Sequence, residues 1–135
     1  MTTRKVKVQE VLGYLSVEAA ACGYFSIYQG TVGDYLFGTM KTHGDVAFDE
    51  TFQSMRDEGQ LFPIHIGLAQ DLAGDYGLDP LGVEDQWVLG NGHNRVMAAF
   101  LLGWEYIETT DSKEESGLKA GLEWRKEHTI AAACK

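Results

Sequence analysis

Val8, Val11, Leu12, Leu15, Ala19 and Cys22 recur at intervals of three and four, the spacing of one helical face, and Gly23 supplies a stop. Residues 5–8 just before read as a short strand or as the run into that helix. Residues 24–28 and 35–40 read as two short strands around Gly30-Thr31-Val32-Gly33, a loose hairpin. Phe48, Phe52 and Met55 sit four and three apart with Gly59 behind them, which predicts a helix over 49–57. Residues 63–68 alternate as a strand, with Pro63 at its mouth, where a missing N–H does least harm. Gly74, Gly77, Pro80 and Gly82 among acids predict an exposed loop over 74–84.

Residues 86–89 then form a short buried strand, followed by Gly90-Asn91-Gly92 and a helix that opens near His93 and stops at Gly103. Val96, Ala99 and Phe100 give that helix its apolar stripe. Residues 105–110 return as a strand. Ser112-Lys113-Glu114-Glu115 has the spacing of a capping box, so a last helix is expected over about 113–132. The three tryptophans, Trp87, Trp104 and Trp124, read as core. With no repeat, low-complexity tract or linker, the 135 residues form one domain of ordinary size.

Composition narrows the function classes. At 44% hydrophobic and 23% charged the chain is globular, and no apolar run approaches the roughly 18 residues that span a bilayer. Residues 1–5 are basic but no apolar segment follows, so no secretory signal is read and no membrane partner is expected. Cys22 and Cys134 form no metal spacing; reduced thiols in a cytoplasmic compartment are expected, with a Cys22–Cys134 disulfide as the alternative. A net charge of -9 opposes sequence-independent binding to a phosphate backbone, so DNA is the less favoured partner.

One segment carries chemistry. Gly90 and Gly92 let the backbone turn tightly, and a helix opening there aims its free N–H groups and the positive end of its dipole into the turn. Arg95 adds a fork of donors suited to phosphate or carboxylate oxygens. From Asp57 to Ser112 there are ten acids and one base, and the base is Arg95. A cation is badly placed at a helix N-terminus unless something repays it. A bound anion would; so would pairing with an acid such as Asp85 or Glu105. His93 can donate to a phosphate or act as a general acid, or simply cap the helix; Asn91 and Asn94 can donate to a ligand or to their own backbone. His65 reads as a satisfied, half-buried strand histidine. Asp45, Asp49, Glu84 and Asp85 flank the expected pocket as candidate metal or base carboxylates, and no metal ligand is singled out.

The ordered set from about 46 to 111 resembles the ParB/sulfiredoxin-like superfamily. A helix ends at Gly59, and Gly59-Gln60-Leu61-Phe62-Pro63-Ile64-His65-Ile66 follows as a strand. Then come Trp87-Val88-Leu89, the turn Gly92-His93-Asn94-Arg95, Ala98-Ala99, Leu102-Gly103 and Tyr106-Ile107. The resemblance implies an α+β fold, a small mixed sheet packed with helices whose glycine turn opens a helix, with 1–45 and 112–135 as extensions. It further implies that Gly90, Asn91, Gly92, His93, Asn94 and Arg95 hold the phosphates of a nucleoside triphosphate, ATP or CTP, with magnesium. His93 is the residue it offers for catalysis; it also offers Lys41 or His43 to reach the phosphates and Glu10 for a general-base role.

Family members include CTP-binding partition proteins, ATP-using sulfiredoxins and free-serine kinases. His93 and Asn94 replace the Glu and first Arg of partition proteins, and His93 stands where sulfiredoxins carry a reactive Cys. A Gly-His-x-Arg turn is most similar to the serine-kinase type and to small ParB-like phage proteins, which implies a virus-encoded protein in a bacterial cytoplasm. Three readings stay open: a nucleotide-binding domain with hydrolysis or phosphotransfer, a catalytically silent module binding a protein partner or a second copy, and a nuclease or DNA-binding protein. The aromatic first 40 residues either roof the pocket or form a dimer face.

Overall fold

A computed structural model of the chain describes residues 3–17, 20, 30–39, 46–60, 62–111 and 116. The strand expected over 24–28, the last helix, both cysteines, Lys41, His43, Asp45 and Trp124 lie outside the described residues. Among those described, the elements run β1 (Thr3–Lys7), α1 (Val8–Leu12), β2 (Leu15–Ser16), α2 (Val32–Asp34), α3 (Val46–Glu58), β3 (Ile64–Leu68), α4 (Ala69–Leu72), β4 (Trp87–Asn91), α5 (His93–Leu101) and β5 (Tyr106–Thr110). A π-helical turn follows α2 over Tyr35–Thr39, and a 3₁₀ turn follows α4 over Ala73–Tyr76. No helix among the described residues is long and apolar enough to cross a membrane.

The five strands form one mixed sheet in the order β1-β5-β3-β4-β2. β1 is antiparallel to β5 and β3 to β4, while β3 and β5, and β2 and β4, run parallel. The fold is therefore α+β, a mixed sheet packed with helices, the class expected of the chain. One core cluster joins Val6, Ile64, Ile66, Leu89 and Ile107 of the sheet to Phe48 and Met55 of α3 and to Val96, Ala98 and Ala99 of α5. A second joins Val88 to Val17, Ala69, Leu72 and Ala73. Val88 and Leu89 are both wholly buried although successive strand residues point to opposite faces. β4 is thus covered on both sides, and full burial of each such side chain contributes roughly 1.5–3 kcal/mol.

Gln60 stands in for a strand where β3 has not yet begun. Its side-chain amide accepts from the Glu108 N–H at 2.7 Å and donates to the Glu108 carbonyl at 2.9 Å. That two-way bond repeats the pattern of an antiparallel ladder pair and holds the middle of β5.

Several expectations are corrected. The helix expected over 8–22 ends at Leu12, because Gly13 breaks the pattern and Leu15 and Ser16 pair in parallel with Val88 and Leu89. Residues 35–39 of the expected strand over 35–40 are not a strand. Thr31 and Asp34 cap each other reciprocally, which starts a helical segment at Val32 that continues into the π turn and replaces the hairpin. Ala98 takes the buried place expected of Phe100, which is 38% exposed, and Trp87 is 41% exposed rather than core.

Candidate functional site

The turn after β4 owes its shape to a β-bulge. His65 pairs with Asn91 but Ile66 pairs with Leu89, so the register steps by one and Gly90 is the extra residue. The step brings Asn91 opposite His65. A Cβ on Gly90 would lie 3.1 Å from both His65 Cδ2 and Leu72 Cδ1, tighter than side chains normally pack. The Gly90 carbonyl accepts from the Tyr76 hydroxyl at 2.6 Å.

Gly92 is required twice over. Its φ of 109° lies in the left-handed region, and a Cβ there would sit 2.6 Å from Ile64 Cγ2. As the N-cap of α5 it brings no capping side chain. The first intrahelical bond runs from the Val96 N–H to the Gly92 carbonyl, so the N–H groups of His93, Asn94 and Arg95 precede the ladder.

His93 is buried, and its Nε2 lies 2.7 Å from Ser16 Oγ at the end of β2. Tyr35, from the N-terminal extension, packs edge-on against the imidazole with ring centroids 5.4 Å apart. On the other side of β4, His65 is buried with Nδ1 3.2 Å from Ser116 Oγ, as a satisfied strand histidine should be.

Arg95 reaches neither Asp85 nor Glu105. Its Nη1 donates to the Phe62 and Pro63 carbonyls at 3.1 and 2.6 Å, and its Nη2 donates to the Ser116 carbonyl at 2.9 Å. Asn91 Nδ2 donates to that same Ser116 oxygen at 2.7 Å. Two side chains of the turn therefore grip one oxygen between them. The guanidinium is half-buried, and desolvation lowers its pKa to about 10, which still leaves it charged at neutral pH. Among the described residues its partners are neutral carbonyls, and the ion pair found there is Arg56–Asp57 on the surface.

The structure thus gathers Gly90, Asn91, Gly92, His93 and Arg95 with four residues that sequence reasoning missed: Ser16, Tyr35, Tyr76 and Ser116. None carried a local signal, because each arrives from a different part of the chain. The other candidate acids stand apart. Asp49, Glu84 and Asp85 are exposed, and Glu10 is exposed on α1, where it bonds Tyr14; burial first and then Glu10 raise the pKa of that phenol. No three His, Cys, Asp or Glu side chains among the described residues come together as a metal site.

A concavity lies at the other end of β4, a hollow of about 260 Å³ lined by Arg4, Ile66, Trp87, Thr109, Thr110 and Asp111. Comparison of the chain with known protein families, with curated proteins and with solved structures returned no match.

Proposed function

We propose that the 90–95 turn is an anion site that takes the phosphates of a nucleoside triphosphate. The observation that carries this reading is the charge on Arg95. It stands at the positive end of an uncapped helix, bonded to carbonyls that satisfy its N–H groups but bring no negative charge. A phosphate would supply that charge at the positive end of the helix dipole, beside the N–H groups that precede the helical ladder. The grip of Asn91 and Arg95 on a single oxygen supports the same chemistry.

The resemblance of the turn to the ParB/sulfiredoxin-like superfamily supports a nucleotide, ATP or CTP, over a simple inorganic anion. Magnesium would arrive on the phosphate oxygens, since the turn offers nitrogen donors. In hydrolysis or phosphotransfer His93 would exchange its proton through Ser16.

The test is thermal unfolding with ATP, CTP, GTP and UTP, each with and without magnesium. A ligand at a hundred times its dissociation constant adds about 2.7 kcal/mol, a shift of several degrees. Arg95→Lys, which keeps the charge but loses the fork, should lose most of that shift. A cooperative unfolding transition that none of the nucleotides moves would overturn the proposal.

A second reading, a silent module that binds a protein partner or its own copy, is favoured by one feature. Phe37 and Phe100 pack with centroids 4.8 Å apart while 53% and 38% exposed, beside Leu101 at 52%. Sedimentation of the wild type against Phe37→Ser would show whether that patch joins two copies.

A further inference from the structure

The hollow at the start of β4 combines features that no element predicts alone. Ile66 and the Trp87 indole give it an apolar wall, and Thr109 and Thr110 lie beside Asp111 at the end of β5. The Arg4 guanidinium lies over the Trp87 ring, 5.3 Å from its centroid. Tyr14 stacks on the same indole with centroids 6.3 Å apart. A guanidinium held by its flat face keeps its N–H donors in plane and available, in the geometry that suits a carboxylate. The Thr109 hydroxyl donates to the Arg4 carbonyl at 3.0 Å and anchors that residue's backbone.

Asp111 lines the same hollow, yet it forms no ion pair with Arg4 among the described residues. A cation and an anion thus face one small cavity without neutralising each other. A ligand carrying one charge would meet repulsion from one of them. A zwitterion would meet neither.

We propose that this hollow binds a small zwitterion, an α-amino acid with an apolar side chain. Its carboxylate lies on Arg4, its ammonium on Asp111, and its side chain against Ile66 and the exposed part of Trp87. The volume points to the class. Ligand pockets usually run from roughly 300 to 1,000 Å³, and about 260 Å³ suits a single amino acid better than a nucleotide. It lies some four residues along β4 from the glycine turn, roughly 13 Å at strand rise, and does not depend on what that turn binds.

The test is calorimetric titration of the full chain with L-phenylalanine and L-leucine, alongside phenethylamine and 3-phenylpropionate, which each carry one of the two charges. Both amino acids are expected to bind, with either single-charge analogue weaker by at least about tenfold. Asp111→Asn and Arg4→Gln, both at exposed positions, should each lower amino-acid affinity by a similar factor while the unfolding temperature stays in place. Heat from 3-phenylpropionate equal to that from L-phenylalanine would reduce the site to a carboxylate cleft and overturn the proposal. So would unchanged affinity in either variant, or no binding of either amino acid at millimolar concentration.

Discussion

The two ends of β4 solve opposite problems. At its C-terminal end polar groups are buried and held by neighbours: Tyr76 on Gly90, Ser16 on His93, and three carbonyls on Arg95. At its N-terminal end Arg4, Trp87 and Asp111 stand exposed around a hollow, with their charges uncombined. A ligand at the turn must displace or extend bonds already made. A ligand at the hollow meets an arginine laid over a ring and an aspartate that, among the described residues, forms no ion pair. The turn should therefore respond to substitution mainly through stability, and the hollow through binding alone.

Gly92→Ala should strain that contrast most. A left-handed backbone costs a side chain about 1–2 kcal/mol, and the new Cβ would have to push Ile64 out of the core. Urea unfolding should show a loss of about 3 kcal/mol. A loss below about 1 kcal/mol would mean that the turn can relax, and the two ends would no longer differ in rigidity.

Arg95→Met comes next. It strips the donors from three carbonyls, and hydrogen bonds to a charged group contribute roughly 1.5–3 kcal/mol each before the relief of a half-buried charge is subtracted. A net loss of about 2 kcal/mol in urea is expected, with the nucleotide-induced shift abolished. Burial depresses this arginine's pKa, so its charge opposes folding at every pH below about 10, and that opposition fades as the pH rises further. The gap between wild type and Arg95→Met should widen in favour of wild type above pH 10. A gap that narrows there would show that the guanidinium is better solvated than its surroundings imply.

Ser116→Ala separates the two uses of the turn. It deletes the hydroxyl partner of His65, at a cost of about 1 kcal/mol, and loosens the segment whose carbonyl Asn91 and Arg95 hold. If a phosphate oxygen takes the place of that carbonyl, the variant should be less stable alone yet bind triphosphate more tightly. Equal affinity in the two proteins would place the phosphate on the helix N–H groups without the side-chain pair.

The same division explains how much could be read beforehand. β3, β4, α3, α5 and β5 were legible because each carries its own periodicity and its own punctuation, Gly59, Pro63, Gly92 and Gly103 among them. The glycine turn was legible for the same reason, since its parts are consecutive. The helix expected over 8–22 failed where a parallel ladder to β4 outweighed a three-and-four repeat that Gly13 had already broken. Ser16, Tyr35 and Ser116 reach the turn from distances that no local pattern spans; the Ser16–His93 contact alone joins residues 77 apart. The hollow was illegible throughout, because it is made by bringing β1, β3, β4 and β5 side by side.

The smallest expected effect is the sharpest test of the contrast. Asp111 is exposed and forms no ion pair among the described residues, so Asp111→Asn deletes a charge without deleting an ion pair among them. Changes of that kind usually stay within about 0.5 kcal/mol. Removing one acid from a chain of net charge -9 also eases its self-repulsion slightly, so a small gain is as acceptable as none. A loss above about 1 kcal/mol would reveal that Asp111 is bonded within the fold, as Arg95 is, and the hollow would become a second self-satisfied cluster in place of a cavity prepared for a guest.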